Sequence, residues 1–439
     1  MRRKIFVQLL VCAFYLPAAC AALTLEEAIS LGLKNNTQIL TAREATKASA
    51  GRNSEVISAA LPKITLSGGY NYISSVPSMS ISIPTGPFTS VEKTVVTGAN
   101  DNWLLRAQLT DQLFDWGRMS DNVYAAGAAN SAAERDFESV SRTVIYSVKQ
   151  SYFGVVFANE TLAVNEESLK VAGQHLEDAS RKYKEGASSS YEVLRSKVLV
   201  SNLKPAVSKA KNNLEMAKLS LKIALGIKLA EDIDVSGKLI ERSIQLPDYE
   251  SKLKIALATR PELLAARLRI ESARKAVESA GTLDKPSLTG FASYNYQNPY
   301  YTQLSWTQSW NAGVNLSVPL FDGNFAAAKV TLAESDLATA EIAAKRLEES
   351  TSSELKQLVF SLFEAKERIE AQKDAIAQAE EYHKIAQVGF KSGTMTNLEV
   401  IDAELSLMNA RIGYLQALYD REVIEAGIER ITGLNPRGK

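Results

Sequence analysis

The chain carries one long sequence pattern twice. The first half matches the second at an offset of 224 residues, and after one loop of unequal length the offset becomes 207. Corresponding positions include Leu40 and Leu264, Tyr70-Asn71-Tyr72 and Tyr294-Asn295-Tyr296, and Leu113-Phe114-Asp115 and Leu320-Phe321-Asp322. Such a register, held over about 200 residues, indicates an internal duplication. It predicts two structural repeats, residues 23–228 and 248–435, joined by a polar linker at 229–247.

The N-terminus is typical of an exported protein. Three basic residues at positions 2–4 precede an apolar run to Leu16, and small residues follow to Ala22. This pattern predicts a signal peptide over residues 1–22, cleaved after Ala21 or Ala22. The alternative is lipidation at Cys20. The only other cysteine is Cys12, in the same segment, so the mature chain is expected to fold without a disulfide.

The charge balance and the absence of catalytic motifs argue against several classes of function. The chain has 50 basic and 50 acidic residues, a balance that gives no reason to expect nucleic-acid binding. It has no phosphate-binding loop, nucleophile elbow or cysteine cluster. Its two histidines, His175 and His383, are expected on solvated or seam positions of helices. We therefore predict a protein that is not an enzyme and has no cofactor or metal. No later apolar run is long enough for a transmembrane helix.

Each repeat is predicted to contain one very long helix. Residues 324–390 contain no proline and no glycine before Gly389, and apolar residues recur at heptad spacing. Such a segment indicates a coiled-coil rod of about 100 Å. Capping boxes begin helices at Thr24 and Thr396, and glycines at 186 and 393 are suited to tight left-handed turns. Each repeat is thus predicted to run helix, strand pair, long helix, helix.

Two pairs of alternating segments predict four strands. Apolar and polar residues alternate over 63–72, 103–110, 287–296 and 310–318, with the length of strands that cross a tilted barrel wall. A soluble sheet with one wet face is the alternative. Four strands are too few to form a closed barrel with an open interior, since closed barrels have at least about eight strands. Two copies of the chain would supply eight strands, and three copies would supply twelve. Residues 73–102 are expected to form an exposed outer loop. The predicted aromatic girdle consists of Tyr70, Tyr72, Trp103, Tyr294, Tyr296, Trp306 and Trp310.

Two acidic residues follow the second glycine turn. Glu399 and Asp402 are three residues apart, so both carboxylates are expected on one helix face. Most acidic pairs simply form a solvated face, and two carboxylates without a histidine are weak evidence for metal ligands. A rotational axis would gather copies of both into a ring, and carboxylate rings form cation-preferring constrictions.

Together these motifs resemble the TolC-type outer membrane efflux protein family, over residues 23–435. The resemblance implies a mainly α fold with a membrane β-barrel portion: a duplicated coiled-coil barrel of long helices, with four strands per protomer in a trimeric twelve-stranded barrel. It implies an exit duct in the outer membrane of a Gram-negative bacterium, extending into the periplasm and passively conducting substrates in a tripartite efflux or type I secretion system. The implied partners are a homotrimer, outer membrane lipid, a periplasmic adaptor and an inner-membrane pump of the RND, ABC or MFS type.

The resemblance also implies roles for the two turns. Glu399 and Asp402 correspond to the periplasmic entrance constriction. Phe390 and Met395 stand where the family prototype has a tyrosine and an arginine that latch the entrance; neither forms that polar latch, and apolar packing is one replacement. The implied adaptor-docking tips comprise Tyr183, Gly186, Ala187, Gly393 and Thr394.

The residues alone leave other functions open. A non-conducting exported coiled-coil protein, either structural or an adaptor, would share the helices but have soluble strands. Within the conduit hypothesis, the cargo is open between drugs, metals and protein. The few methionines and histidines are not clustered, which argues against a dedicated path for soft metals.

Overall fold

The structure is a computed structural model that describes residues 22–96, 98–244, 246–300 and 305–433. The predicted signal peptide up to residue 21, both cysteines and the last two residues of the predicted second repeat lie outside these residues. The chain is mainly helical. The helices are α1 (Leu25–Asn35), α2 (Thr37–Ala59), α3 (Arg118–Lys184), α4 (Ser190–Leu225), α5 (Tyr249–Thr259), α6 (Pro261–Ala280), α7 (Phe325–Ser392) and α8 (Asn397–Thr432).

The helix boundaries follow local chemistry. Capping boxes begin α1 at Thr24 and α8 at Thr396, as predicted. Helices α1 and α2 are separated by a break at Asn36. There the buried Asn36 amide donates to the Ala224 carbonyl at 2.8 Å, while its oxygen accepts from the Gln38 N–H at 2.8 Å. Asn36 thus caps α2 and holds it against the end of α4.

The long helices have the predicted length and seam. Helices α3 and α7 contain 67 and 68 residues, which is about 100 Å of helix each. The heptad residues of α7 lie on its packed side, and Leu355, Leu362 and Ile369 are all buried. Apolar residues on its other sides stay exposed in the single chain; these are Phe360, Phe363, Ile385 and Val388.

The strands form one four-stranded sheet and one separate hairpin. They are β1 (Lys63–Tyr72), β2 (Ser78–Gly86), β3 (Thr89–Val96), β4 (Asp101–Phe114), β5 (Ser287–Asn298) and β6 (Thr307–Ser317). The sheet is antiparallel in the order β1-β4-β5-β6. All four of its strands were predicted. Strands β1 and β6 are its edges, and no further strand in the described residues pairs with them.

The outer loop predicted over 73–102 is largely exposed, but it contains a hairpin that the sequence analysis did not predict. Strands β2 and β3 pair there as an antiparallel hairpin. The proline-rich and serine-rich composition suggested a loop, but Met79, Ile81 and Ile83 alternate with serines at the period of a strand. Pro84 lies directly before the register shift at the hairpin end, where prolines are tolerated in strands.

The chain packs as two compact units. One contains the described parts of Met1–Arg43, Phe137–Arg260 and Glu349–Lys439, and the other consists of Glu44–Asp136 and Pro261–Glu348. Each unit therefore takes segments from both halves of the chain. The repeat boundaries proposed from the sequence remain a prediction.

The first unit has a core where α1, α3, α4 and α8 meet the linker. Its fully buried members include Val148, Leu221 and Leu225. Gly226 has a φ of +68°, and an added Cβ would lie 2.4 Å from the Asn35 carbonyl oxygen. Only glycine accepts both this backbone conformation and this close approach.

Buried and half-buried polar contacts hold the linker to the helices of this unit. Arg421, which is fully buried on α8, donates to the Ile240 carbonyl at 2.9 Å and contacts the Glu422 carboxylate at 2.6 Å. The Tyr414 hydroxyl donates to Glu241 at 3.0 Å. Burial and this carboxylate together raise the pKa of Tyr414 to about 12.

The second unit joins the sheet to the helix ends next to it. Within it α6 packs on α3: the Ser272 hydroxyl donates to the Ala125 carbonyl at 2.9 Å, and the Ser279 hydroxyl donates to the Asn122 side chain at 2.7 Å. Small residues at these positions permit the close approach of the helices.

Candidate functional site

The second glycine turn connects α7 to α8. Gly393 has the left-handed φ of +78° that the sequence predicted. The Thr394 N–H donates back to the Gly389 carbonyl at 2.9 Å, and the Met395 N–H donates to the same oxygen at 3.1 Å. These bonds satisfy the carbonyls at the end of α7, so the turn has a defined geometry.

The two predicted entrance carboxylates have different environments. Glu399 accepts from the Thr396 N–H at 2.6 Å, and the Glu399 N–H donates to the Thr396 hydroxyl at 3.4 Å. The bonds from the Thr396 backbone and side chain lower the pKa of Glu399. Its carboxylate therefore stays charged and is fixed at the start of α8. Asp402 lies about one turn further along the helix and is exposed.

Phe390 and Met395 pack on one apolar cluster at this turn. The cluster is formed by Ala386, Val400 and Ala403, all fully buried. Met395 folds back over Gly389 so closely that an added Cβ there would lie 2.6 Å from the Met395 side chain. The geometry matches the apolar packing considered for these two positions.

The first glycine turn connects α3 to α4 and repeats this architecture. Gly186 has a φ of +74°, and the Ala187 N–H donates to the Lys182 carbonyl at 2.8 Å. The predicted docking residues of both turns are exposed; they are Tyr183, Gly186, Ala187, Gly393 and Thr394.

Two contacts that the sequence did not reveal join the two helical hairpins. The Lys182 ammonium lies 4.2 Å from the ring centroid of Phe390. Asn397, which is 1% exposed, donates to the Ser196 hydroxyl at 2.9 Å and to the Glu192 carbonyl at 3.3 Å. Nothing local marks Asn397 as special, because its partners lie about 200 residues earlier in the chain.

The two histidines lie on the two long helices, His175 on α3 and His383 on α7. His383 lies 2.8 Å from the buried Glu404 carboxylate. His175 on α3 has a buried Nε2 atom that contacts no hydrogen-bonding group of the described residues. Burial lowers the pKa of His175, and the nearby charges of His383 and Lys391 lower it further, against a smaller opposite effect of Asp178.

The seam placement expected for the histidines is confirmed, while the contact of His383 with the buried Glu404 was missed. Residues of α3 and α7 line a cleft of about 280 Å³ beside His175. The sequence already showed that the two histidines stand at similar positions in their hairpins, because each lies about three helical turns before the glycine of its own turn.

The predicted aromatic girdle lies at one end of the sheet. All seven side chains are exposed in the single chain. The rings of Tyr70 and Trp103 are 4.5 Å apart between centroids, and those of Tyr296 and Trp306 are 4.8 Å apart. They lie at the strand ends remote from the flanking helices, in agreement with the sequence pattern.

The described ranges contain neither a membrane-spanning helix nor a cluster of metal-binding side chains. No helix there is both long enough and apolar enough to cross a membrane. No group of three or more His, Cys, Asp or Glu side chains in the same ranges is arranged to hold a metal ion.

Comparison with known proteins identifies the class. The sequence profile described as "Outer membrane efflux protein" matches residues 28–227 and 253–434. The chain is 24% identical over 412 residues to Outer membrane protein TolC of Vibrio cholerae, covering 92% of this chain and 89% of that protein. It is 22% identical over 322 residues to Cation efflux system protein CusC of Escherichia coli K12, covering 72% and 70%.

Solved structures share the fold. The Campylobacter jejuni CmeC outer membrane channel superposes with a TM-score of 0.79 at 18% identity, covering 93% of this chain and 85% of that one. The Vibrio cholerae outer membrane protein VceC superposes with a TM-score of 0.77 at 19% identity, covering 93% and 96%.

Long paired helices, a small open sheet and these matches define an outer-membrane channel that serves efflux. The chain belongs to the Outer membrane efflux protein family. It resides in the outer membrane and extends into the periplasm, as predicted from the sequence.

Proposed function

We propose that three copies of this chain form the exit duct of a tripartite efflux or secretion system. The observation that carries the proposal is the open sheet. Its edge strands β1 and β6 gain no partner from the described residues, and unpaired edges are unfavourable unless another chain covers them. Outward apolar side chains are also exposed, including Ile64 and Trp310, each 78%. Pairing β1 of each copy with β6 of the next covers the edges, and lipid covers these side chains.

The helices support the same assembly. Phe360, Phe363, Ile385 and Val388 expose a second apolar surface on α7, although its heptad seam is already buried. Neighbouring copies around a three-fold axis would cover this surface. The duct conducts passively, and we assign no catalytic role to any of its residues.

The inner-membrane pump supplies the energy and selects the cargo. An adaptor joins the pump to the exposed tips, Tyr183–Ala187 and Phe390–Thr394. The curated relatives include a "Toxin and drug export protein A" and cation efflux proteins. This range indicates that one duct architecture accepts different cargoes.

We assign the closed entrance to Glu399 and Asp402. Three copies bring two carboxylates each to one ring, and Glu399 is held in place by its bonds to Thr396. Adaptor binding opens this ring by moving the α7–α8 hairpin away from the α3–α4 hairpin. That movement must break the contacts of Asn397 and the contact of Lys182 with Phe390, which together replace the polar latch of the family prototype.

The test is a charge-neutral double variant in planar bilayers. Glu399→Gln with Asp402→Asn removes two negative charges per copy, and glutamine preserves the capping box. We expect lower cation selectivity and weaker block by divalent cations. Glu185→Gln is the matched control, since it removes one exposed carboxylate at the other turn.

Two results would contradict the proposal in different ways. Unchanged selectivity and block in the double variant would remove the carboxylates from the entrance. If the purified protein neither forms a trimer nor conducts current, the duct hypothesis is rejected and a non-conducting coiled-coil protein is favoured.

A further inference from the structure

The two faces of the four-stranded sheet differ in chemistry. Paired residues of neighbouring strands point to the same face, and successive residues of one strand point to opposite faces. One face carries large exposed apolar side chains, which include Ile64, Leu66, Leu105, Tyr294, Trp310 and Leu316. The alternate residues form the other face (the polar face), which begins at Lys63 in β1, Asn102 in β4, Ser287 in β5 and Thr307 in β6. In a membrane barrel the apolar face contacts lipid and the polar face lines the lumen.

The polar face carries positive charge and no negative charge. Its only charged residues are Lys63 in β1 and Arg106 in β4. The aspartates of β4, Asp101 and Asp111, alternate with Arg106 and therefore belong to the apolar face. No aspartate or glutamate occupies the polar face of the four described strands. Each copy of the chain thus brings cations without a carboxylate to this surface.

Arg106 lies near the middle of the polar face, where a neighbour holds it. The register aligns one row of side chains across the four strands: Ser67, Arg106, Asn295 and Ser309. The Arg106 Nε–H donates to the Asn295 Oδ1 atom at 2.7 Å. The Arg106 side chain is exposed and forms no ion pair with the described residues. A guanidinium has several N–H groups, so Arg106 keeps its charge and its other donors for a ligand.

A trimeric barrel would place three Arg106 side chains at one level, because its three-fold axis relates them. Twelve strands about 4.8 Å apart and tilted by about 40° enclose a lumen about 24 Å wide between backbones. An arginine side chain reaches roughly halfway from such a wall to the axis. Each charge then lies within a Debye length, about 8 Å, of the axis. An ion on the axis therefore interacts with all three arginines.

We propose that the three Arg106 side chains form an anion-binding ring inside the barrel, which attracts the carboxylate or phosphate groups of small-molecule cargo. This inference rests on the trimeric duct of the proposed function. Rings of Arg or Lys line pores that prefer anions. The hydroxyl and amide groups in the row of Arg106 supply further hydrogen bonds. Lys63 adds a second cation on the same face, about 13 Å along the strand toward the helices.

A charge series at position 106 tests the ring in planar bilayers. Arg106→Gln removes the charge, Arg106→Glu reverses it, and the matched control Arg106→Lys preserves it. Three partly screened charges near the axis should raise the chloride-to-potassium permeability ratio by about fivefold. We therefore expect this ratio to fall about fivefold in Arg106→Gln and further in Arg106→Glu, and to stay at the parent value in Arg106→Lys. Inorganic pyrophosphate should block the parent and Arg106→Lys but not Arg106→Gln.

Thiol modification changes the same charge after the protein has folded. The parent has no cysteine after Leu23, so Arg106→Cys introduces a single reactive thiol into the mature chain. A cationic methanethiosulfonate reagent should raise the chloride-to-potassium ratio of this variant, and an anionic one should lower it. Leu105→Cys is the matched control, because its thiol lies one residue away on the apolar face; neither reagent should change its ratio.

The outcomes separate the ring from the duct. A conducting Arg106→Gln trimer with the parent permeability ratio and the parent pyrophosphate block overturns the ring and leaves the duct intact. An equal change in Arg106→Lys and Arg106→Gln would indicate a structural role and would also overturn it. Block by divalent cations, which reports on the proposed entrance, should be the same in the whole series; a parallel change would assign the effect to the entrance instead. A parent protein without trimer or conductance overturns the duct and the ring together.

Discussion

Replacement of Asn397 with alanine should weaken the closed entrance by an amount set by two hydrogen bonds. The buried amide donates to the Ser196 hydroxyl at 2.9 Å and to the Glu192 carbonyl at 3.3 Å. A buried polar group that loses its partner costs about 1–3 kcal/mol. When the hairpins separate, water hydrates the Ser196 hydroxyl and the Glu192 carbonyl in both proteins. The substitution therefore raises the free energy of the closed state alone. A loss of about 2 kcal/mol per copy shifts the equilibrium toward opening by roughly 30-fold.

The assay is the open fraction of single channels in planar bilayers without an adaptor. Asn397→Ala should be open far more often than the wild type. The matched control is Ser406→Ala, which removes an exposed hydroxyl that bonds only within α8, to the Asp402 carbonyl at 2.7 Å. Equal open fractions in the two variants, with equal trimer mass, would refute the role given to Asn397.

The remaining predictions concern pH and stability. While the hairpins are together, burial lowers the pKa of His175 from 6.5. The contact between the hairpins is therefore most stable above pH 6.5 and weakens as the pH falls below it. We expect the channel to open more at about pH 5.5 than at about pH 7.5. His175→Gln should abolish this difference, whereas an unchanged profile would assign it to other groups. Arg421→Ala removes a charged partner of the buried Glu422 carboxylate and should cost about 3–5 kcal/mol, while Arg411→Ala, at an ion pair whose arginine is one-third exposed, should cost at most about 1 kcal/mol. Thermal melting of the two arginine variants compares them, and similar melting temperatures would contradict the importance of burial.

Local features of the fold were predictable because adjacent residues determine them. The capping boxes at Thr24 and Thr396, the left-handed glycines and the heptad seam of α7 each depend on residues a few positions apart. The four sheet strands followed from period-two alternation. The hairpin of β2 and β3 was missed because its prolines and serines were taken as evidence for a loop, although apolar and polar residues also alternate there.

The two glycine turns were predictable in position, but the contacts between them were not, and the entrance placed there remains a prediction. The glycines marked both turns, and Phe390 and Met395 pack on an apolar cluster, which was one arrangement considered from the sequence. The bonds of Asn397 and the contact of Lys182 with the Phe390 ring join segments that are distant in the sequence. No local pattern reports such contacts.

The sequence by itself determined the periodic elements, their order and their duplication, because hydrophobic spacing, caps and turn residues act over a few positions. Only the tertiary structure decided which helices of the two repeats pack together and which polar groups they bury. Those choices depend on side-chain shape and on the cost of leaving a polar group without a partner, and both are properties of the packed chain.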